Sequence, residues 1–209
     1  MRSNVFEWAA ARTIVVPFLA AGTSTQGQDW RHKDQIYSGV LNDYSPASSI
    51  KGSPWEMHGQ WSLDLHPERS AADVYVDMTM SDYGTTSGVP DATQGGQSAH
   101  THHIRLTNAT VTWDMVGCPA YPTPVTTAGF QVNGTVSLIT GNGSNAPFET
   151  TNPPQSTLQV CITGGSEVQF SNMTMVFGGP ATTHFGTQAI HGVVRKVIYN
   201  VSEGRDGHR

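Results

Sequence analysis

The residues of this chain best equipped for chemistry are its histidines. Nine occur among 209 residues, and their placement is uneven. In His100-Thr101-His102-His103-Ile104-Arg105-Leu106, strand alternation puts His100 and His102 on the face of Ile104 and Leu106, with His103 and Arg105 opposite. Two imidazoles then point toward the core side, which is costly unless they are paired, ligated or turned to a cavity. Far along the chain, His184 stands in the glycine-flanked stretch Gly178–Gly192, where backbone freedom permits close approach to another element. His32, His58, His66 and His208 fall at polar or terminal positions and read as solvent-exposed.

Three chemistries fit His100, His102 and His184. An H-x-H pair on one strand with a distant third histidine can ligate a single transition metal such as zinc or copper. Without metal, the same imidazoles can line an organic-ligand pocket and move protons near neutral pH. They can also be structural, bonding to loop backbone. Tyr83, Trp61, Met78 and Phe185 are the candidates for contact with an organic substrate. The tryptophans Trp55, Trp61 and Trp113 read as core, or as stacking platforms for sugars if they lie on an open face. Asp82 and Arg105 are more simply loop and surface residues. No G-x-S-x-G, H-E-x-x-H or Walker A motif is present, and no G-x-G-x-x-G leads from strand into helix.

The elements that must position these residues read as strands. Charged residues are 13% of the chain, hydrophobic residues 37%, and glycine and proline number 22 and 12, which points to short strands joined by many turns. Alternation runs through Trp55–Leu65, Asp73–Met80, Phe130–Leu138 and Leu158–Ile162. In the third of these, Phe130, Val132, Val136 and Leu138 share the inner face and Asn133 the outer. Adding His100–Leu106, Ala109–Trp113, Val168–Phe177 and Ile190–Tyr199 gives about eight antiparallel strands, a β-sandwich or a closed β-barrel. The expected division is a signal peptide over 1–25, an irregular lead-in over 26–50, one β domain over 51–200 and a disordered tail over 201–209. Residues 81–99 read as a long functional loop.

Several features point to the secretory pathway. Arg2 and Arg12 precede the apolar run Thr13–Ala21, the layout of a signal peptide. Five of the nine asparagines open N-glycosylation sequons, at Asn108, Asn133, Asn142, Asn172 and Asn200. Cys118 and Cys161 suffice for one disulfide, worth ~4 kcal/mol for the loop it would close. A net charge of −5 with no Lys/Arg run argues against nucleic acid. No stretch reaches the roughly 18 apolar residues of a membrane span. The expected partner is a small apolar organic substrate, with a homodimer left open.

Five segments together carry a family likeness: Gly39–Tyr44, Met57–Leu63, His100–Ile104, Ser156–Gly165 and His184–Val194. They resemble a family of small secreted fungal proteins over roughly residues 38–197. The chain is also similar to the hetero-Diels–Alderases of tropolonic sesquiterpenoid biosynthesis. That resemblance implies a cofactor-free cyclase, in which a hydroxymethyl tropolone loses water to a quinone methide that adds to a polyene such as a humulene. It implies imidazoles that supply the proton for water loss and an apolar pocket that aligns the partners. The rival readings are a secreted copper or zinc metalloprotein, and a non-catalytic carbohydrate-binding or cell-wall module.

Overall fold

A computed structural model describes residues 33–45, 55–82, 100–118, 129–142, 151–163 and 171–199. Within them run nine strands: β1 (Gln35–Ser45), β2 (Trp55–His66), β3 (Ala71–Asp82), β4 (His100–Thr112), β5 (Gly129–Thr135), β6 (Leu138–Asn142), β7 (Thr157–Thr163), β8 (Asn172–Gly178) and β9 (Ile190–Tyr199). The one α-helix among the described residues is a single turn, α1 (Thr182–Phe185). The strands follow the order β3-β2-β1-β9-β8-β7-β5-β4-β6, and a further pairing of β3 with β4 closes the ring. The fold is therefore a closed, antiparallel eight-stranded barrel with β6 as an extra strand. Pairing between strands decides for barrel over sandwich, which periodicity along one strand cannot do.

An eight-stranded barrel leaves an interior just wide enough for side chains to fill. Tyr37, Leu63, Leu65, Leu106, Phe130 and Ile162 are each wholly buried in one continuous core. Two glycines make room for the largest ring. A Cβ on Gly39 would lie 2.9 Å from the Trp61 indole, and one on Gly192 would lie 3.2 Å from its Nε1.

Three expectations need correction. Residues 35–45 are not an irregular lead-in but β1, paired with β2 along its whole length and with β9 over Gln35–Leu41. Its pattern is disguised because Gln35 and Gly39 point inward while Ile36 and Val40 are only half-buried. Gln35 is there for a reason: its Oε1 accepts the Tyr37 hydroxyl at 2.8 Å.

His100–Leu106 and Ala109–Trp113 are not two strands but one, β4, with an irregularity at Asn108. Asn108 takes φ +53°, a left-handed conformation that asparagine tolerates, and its N–H donates to Asp73 Oδ1 at 2.6 Å. Finally, Leu138 does not share the inner face of Phe130, Val132 and Val136. It is 46% exposed, and Ile139 is buried in its place.

The second and third corrections have one cause. β5 and β6 run along the same edge of β4, Val111 opposite Val132 and Ile104 opposite Ile139, in a single unbroken register. β4 switches its inward set between Leu106 and Ala109, and the opposing chain switches between Val136 and Ile139. Ser137 bridges the switch by donating its N–H and hydroxyl to the Arg105 carbonyl, at 2.8 and 3.0 Å.

The two ends of the barrel differ in construction. At one end, the turn end, β2 and β3 are joined by the tight turn Pro67–Ser70, where Ser70 N–H donates to the Pro67 carbonyl at 2.9 Å. Beside it, the segment after β4 folds onto the outer wall, where Cys118 is disulfide-bonded to Cys161 of β7 across a Cα–Cα distance of 6.2 Å. Met115 is buried with them, and Gln131 donates to both Asp114 Oδ1 and the Val116 carbonyl. At the other end, β4, β7 and β9 begin and β3 and β8 finish. No helix among the described residues is long and apolar enough to cross a membrane. Of the expected loop over 81–99, Ser81 and Asp82 are instead the last residues of β3, paired with Glu56 and Trp55 of β2. The rest of that loop with Tyr83, the expected signal peptide, the tail from 201 and Asn200 lie outside the described residues.

Candidate functional site

His100 and His102 occupy the first inward positions of β4, at the end opposite the disulfide. Alternation places them as the sequence predicts: both are buried, at 2% and 0% exposure, while His103 is exposed. Across the β3–β4 ladder they stand opposite Met80 and Met78, so the neighbouring wall is apolar. Their neighbours in chain, Thr101 and His103, pair with Asn142 and Thr140 of β6. The extra strand thus supports the segment that carries the two imidazoles.

His184 arrives from the β8–β9 connection. After β8, Gly179 turns the chain with φ +66°, at a point where a Cβ would come within 2.9 Å of the Gln155 carbonyl oxygen. The 3-10 turn Gly179–Ala181 follows, and Ala181 N–H donates to the Ser156 hydroxyl at 3.0 Å. The helical turn α1 comes next and stops at Gly186, φ +78°. The Thr182 and Thr183 hydroxyls tie α1 back to the 3-10 turn by donating to the carbonyls of Gly179 and Pro180, each at 2.8 Å. Phe185 fixes the turn to the barrel: its ring stacks on Phe177 with centroids 4.3 Å apart.

These elements bring the three imidazoles together through their Nε2 atoms. His184 Nε2 lies 2.8 Å from His102 Nε2 and 3.2 Å from His100 Nε2. The rings meet edge to face, with centroid separations of 4.7 to 5.2 Å. Phe185 packs edge-on against both His102 and His184, at 5.2 and 4.9 Å.

Burial governs the charge of the cluster. Loss of hydration pushes His102 down to about 3, helped by His184, His100 and His103, and pushes His184 down to about 4, helped by His100. Both are therefore uncharged at neutral pH, each with one ring nitrogen offering a lone pair. Three ligand nitrogens within 4.8 Å of one another are a set that could hold one metal ion.

The remaining sequence candidates distribute as follows. Met78 and Phe185 lie at the cluster. Trp61 is buried inside the barrel at 3% exposure, one inward position further along β2 than Gly59, and its indole N–H has no hydrogen-bond partner among the described residues. Trp113 is partly buried against Phe130, with centroids 5.5 Å apart. Neither of these two rings forms an open platform for a sugar. Arg105 stacks over Tyr75 on the outer wall at 4.8 Å. Asn108, Asn142 and Asn172 are exposed, and Asn133 is half-buried on the outer wall, its Nδ2 donating to Gln131 Oε1 at 3.2 Å.

Two features escaped the sequence reading. Phe177 backs Phe185, and its place on the inner face of β8 was legible from alternation alone. His191 is exposed and held by Asp43, whose Oδ2 lies 2.8 Å from its Nδ1 and accepts its backbone N–H at 2.7 Å. No local signal joins those two residues, which meet only because β1 and β9 are neighbours. His191 lines a cleft of about 290 Å³ on the outer wall with Val40, Thr174 and Val193, away from the three imidazoles.

Fold and site together define a closed antiparallel barrel with a three-imidazole cluster at one end, His100 and His102 buried and His184 half-buried. No family model, curated protein or solved structure matches the chain.

Proposed function

We propose that the protein is an enzyme acting on a small, largely apolar organic molecule at the three-imidazole end of the barrel. The observation that carries this reading is the convergence of three Nε2 atoms beside the Phe185 ring and the Met78 wall. A barrel of this size needs no buried imidazoles for stability, and desolvating His100 and His102 fully and His184 in part works against it. Groups kept at such a cost are characteristic of reaction centres.

The resemblance in sequence supplies the reaction type, a cyclisation of the hetero-Diels–Alder kind. A hydroxymethyl tropolone would lose water, and the resulting quinone methide would add across a double bond of a polyene. Because burial keeps His102 and His184 uncharged, imidazole would take the tropolone hydroxyl proton and pass it to the departing hydroxyl, so that water leaves and the imidazole is returned uncharged. This adds a basic step ahead of the proton-donor role implied by the resemblance. The apolar wall would hold both partners in reacting geometry and lower the entropic barrier.

The reading also puts the chain in the secretory pathway as a glycoprotein. The Cys118–Cys161 bridge and the exposed sequons at Asn108, Asn142 and Asn172 support that assignment.

The test is to incubate the purified chain with a hydroxymethyl tropolone and a humulene and follow the adduct by chromatography. We expect His184→Ala to lower the rate by ~100-fold or more, the scale of a lost acid–base group. Adduct formed no faster than in buffer, or equally fast with His184→Ala, would refute the proposal.

A further inference from the structure

We infer that His100, His102 and His184 bind one divalent first-row transition-metal ion through their Nε2 atoms, leaving an open position for an anionic oxygen. The inference concerns the site on which the proposed function rests, and it deepens that reading by naming the cofactor and the substrate group it would hold.

The case begins with the distances. In a tetrahedral zinc site, metal–nitrogen bonds of about 2.0–2.1 Å set the ligand nitrogens roughly 3.3 Å apart. The two short separations are 3.2 Å, from His100 to His184, and 2.8 Å, from His102 to His184. All three ligand atoms fall within 4.8 Å of one another. The closer contact opens to the required spacing if His184 moves by about half an ångström, and His184 rides on a one-turn helix rather than on a strand.

A purely hydrogen-bonded cluster explains the geometry less well. A neutral imidazole has one N–H, so His184 Nε2 can either donate one hydrogen or accept through one lone pair. Both short contacts share that single atom. Whichever role it plays, one direction must serve two partners. A cation at the centre uses each of the three lone pairs once.

The donor set selects the metal. Three imidazole nitrogens suit zinc or copper, and they do not suit calcium or magnesium, which require oxygen ligands. The set also selects the fourth ligand. Among the described residues the cluster contains no carboxylate, so none of them offsets the ion's double positive charge. The open position would therefore favour hydroxide, or an enolate or phenolate oxygen of a substrate. Metal-bound hydroxide then takes over the basic role, with the imidazoles serving as ligands.

The experiment uses the full chain, secreted from a eukaryotic host without a histidine tag and stripped with a chelator. Zinc is titrated by calorimetry and cobalt by visible absorption. We expect one equivalent of zinc and the intense visible bands of four-coordinate cobalt. His184→Ala and His102→Ala should each weaken zinc by at least ~100-fold, the upper end of what losing even an outer-shell partner does. His103→Ala, one residue on and outward-facing, should bind zinc as the unaltered chain does. A folded wild-type chain that takes up no zinc overturns the inference, whether or not the variants fold. So does uptake that survives both His184→Ala and His102→Ala. Binding is read without turnover, so the two proposals fail separately. Turnover lost with His184→Ala in a chain that binds no metal ends this inference alone. One tightly bound zinc in a chain inert toward every substrate offered supports it and removes the cyclase.

Discussion

The barrel's two ends solve opposite problems. At the turn end, Tyr37 and Phe130 meet edge to face at 5.4 Å, a disulfide ties the outer segment down, and the buried polar atoms of Tyr37 and Gln131 have partners. At the histidine end, three imidazoles face one another in an apolar wall, and the third stands on a single helical turn held by Phe185. One end is arranged for stability and the other accepts a stability cost for chemistry. Such segregation lets either be altered without the other.

Substitutions can break or sharpen that contrast. The largest stability loss should come from Phe130→Ala at the turn end, about 3–5 kcal/mol in urea unfolding, as for other buried aromatic truncations. Zinc affinity measured on the remaining folded fraction should be unchanged. Replacing both Cys118 and Cys161 by alanine should lower stability by about 2–4 kcal/mol, again with the zinc stoichiometry intact. If either change abolished zinc binding in folded protein, the two ends would not be independent.

Phe185→Leu at the histidine end should cost only about 1 kcal/mol in the same assay. It should nevertheless weaken zinc binding measurably, because the ring that backs His102 and His184 is lost. The smallest effect is expected from His102→Leu. In metal-free protein its unfolding free energy should stay within about 1 kcal/mol of the parent, or rise above it, since a buried imidazole is replaced by a hydrocarbon. A loss of several kcal/mol there would mean that the imidazoles are structural and the contrast false.

Legibility of the fold from sequence followed the two-residue period. β2, β3, β7 and the first half of β4 have unbroken alternation, and their inward residues could be read directly. β1 could not, because its inward set includes Gln35 and Gly39, the first chosen for the Tyr37 hydroxyl two residues on and the second for the Trp61 ring of β2. Leu138 was assigned to the wrong face because the change of inward set between Val136 and Ile139 matches one between Leu106 and Ala109, and neither leaves a local mark. The site divides the same way. His100 and His102 were legible as an inward pair from spacing alone. That His184 reaches them depends on β8 and β9 lying across the barrel from β4, a fact of topology that no local spacing encodes.

The pairing of β1 with β9 has a consequence for the order of events in folding. The first described strand is completed by the last, Gln35 opposite Tyr199, so the ring cannot close until β9 has left the ribosome. Until β9 is made, β1 has β2 on one side and an unsatisfied edge on the other, which is a site for pairing with other chains. The disulfide joins residues that emerge much earlier and can form before closure. Ring closure is the long-range step, and by its loop entropy it should be the slow one.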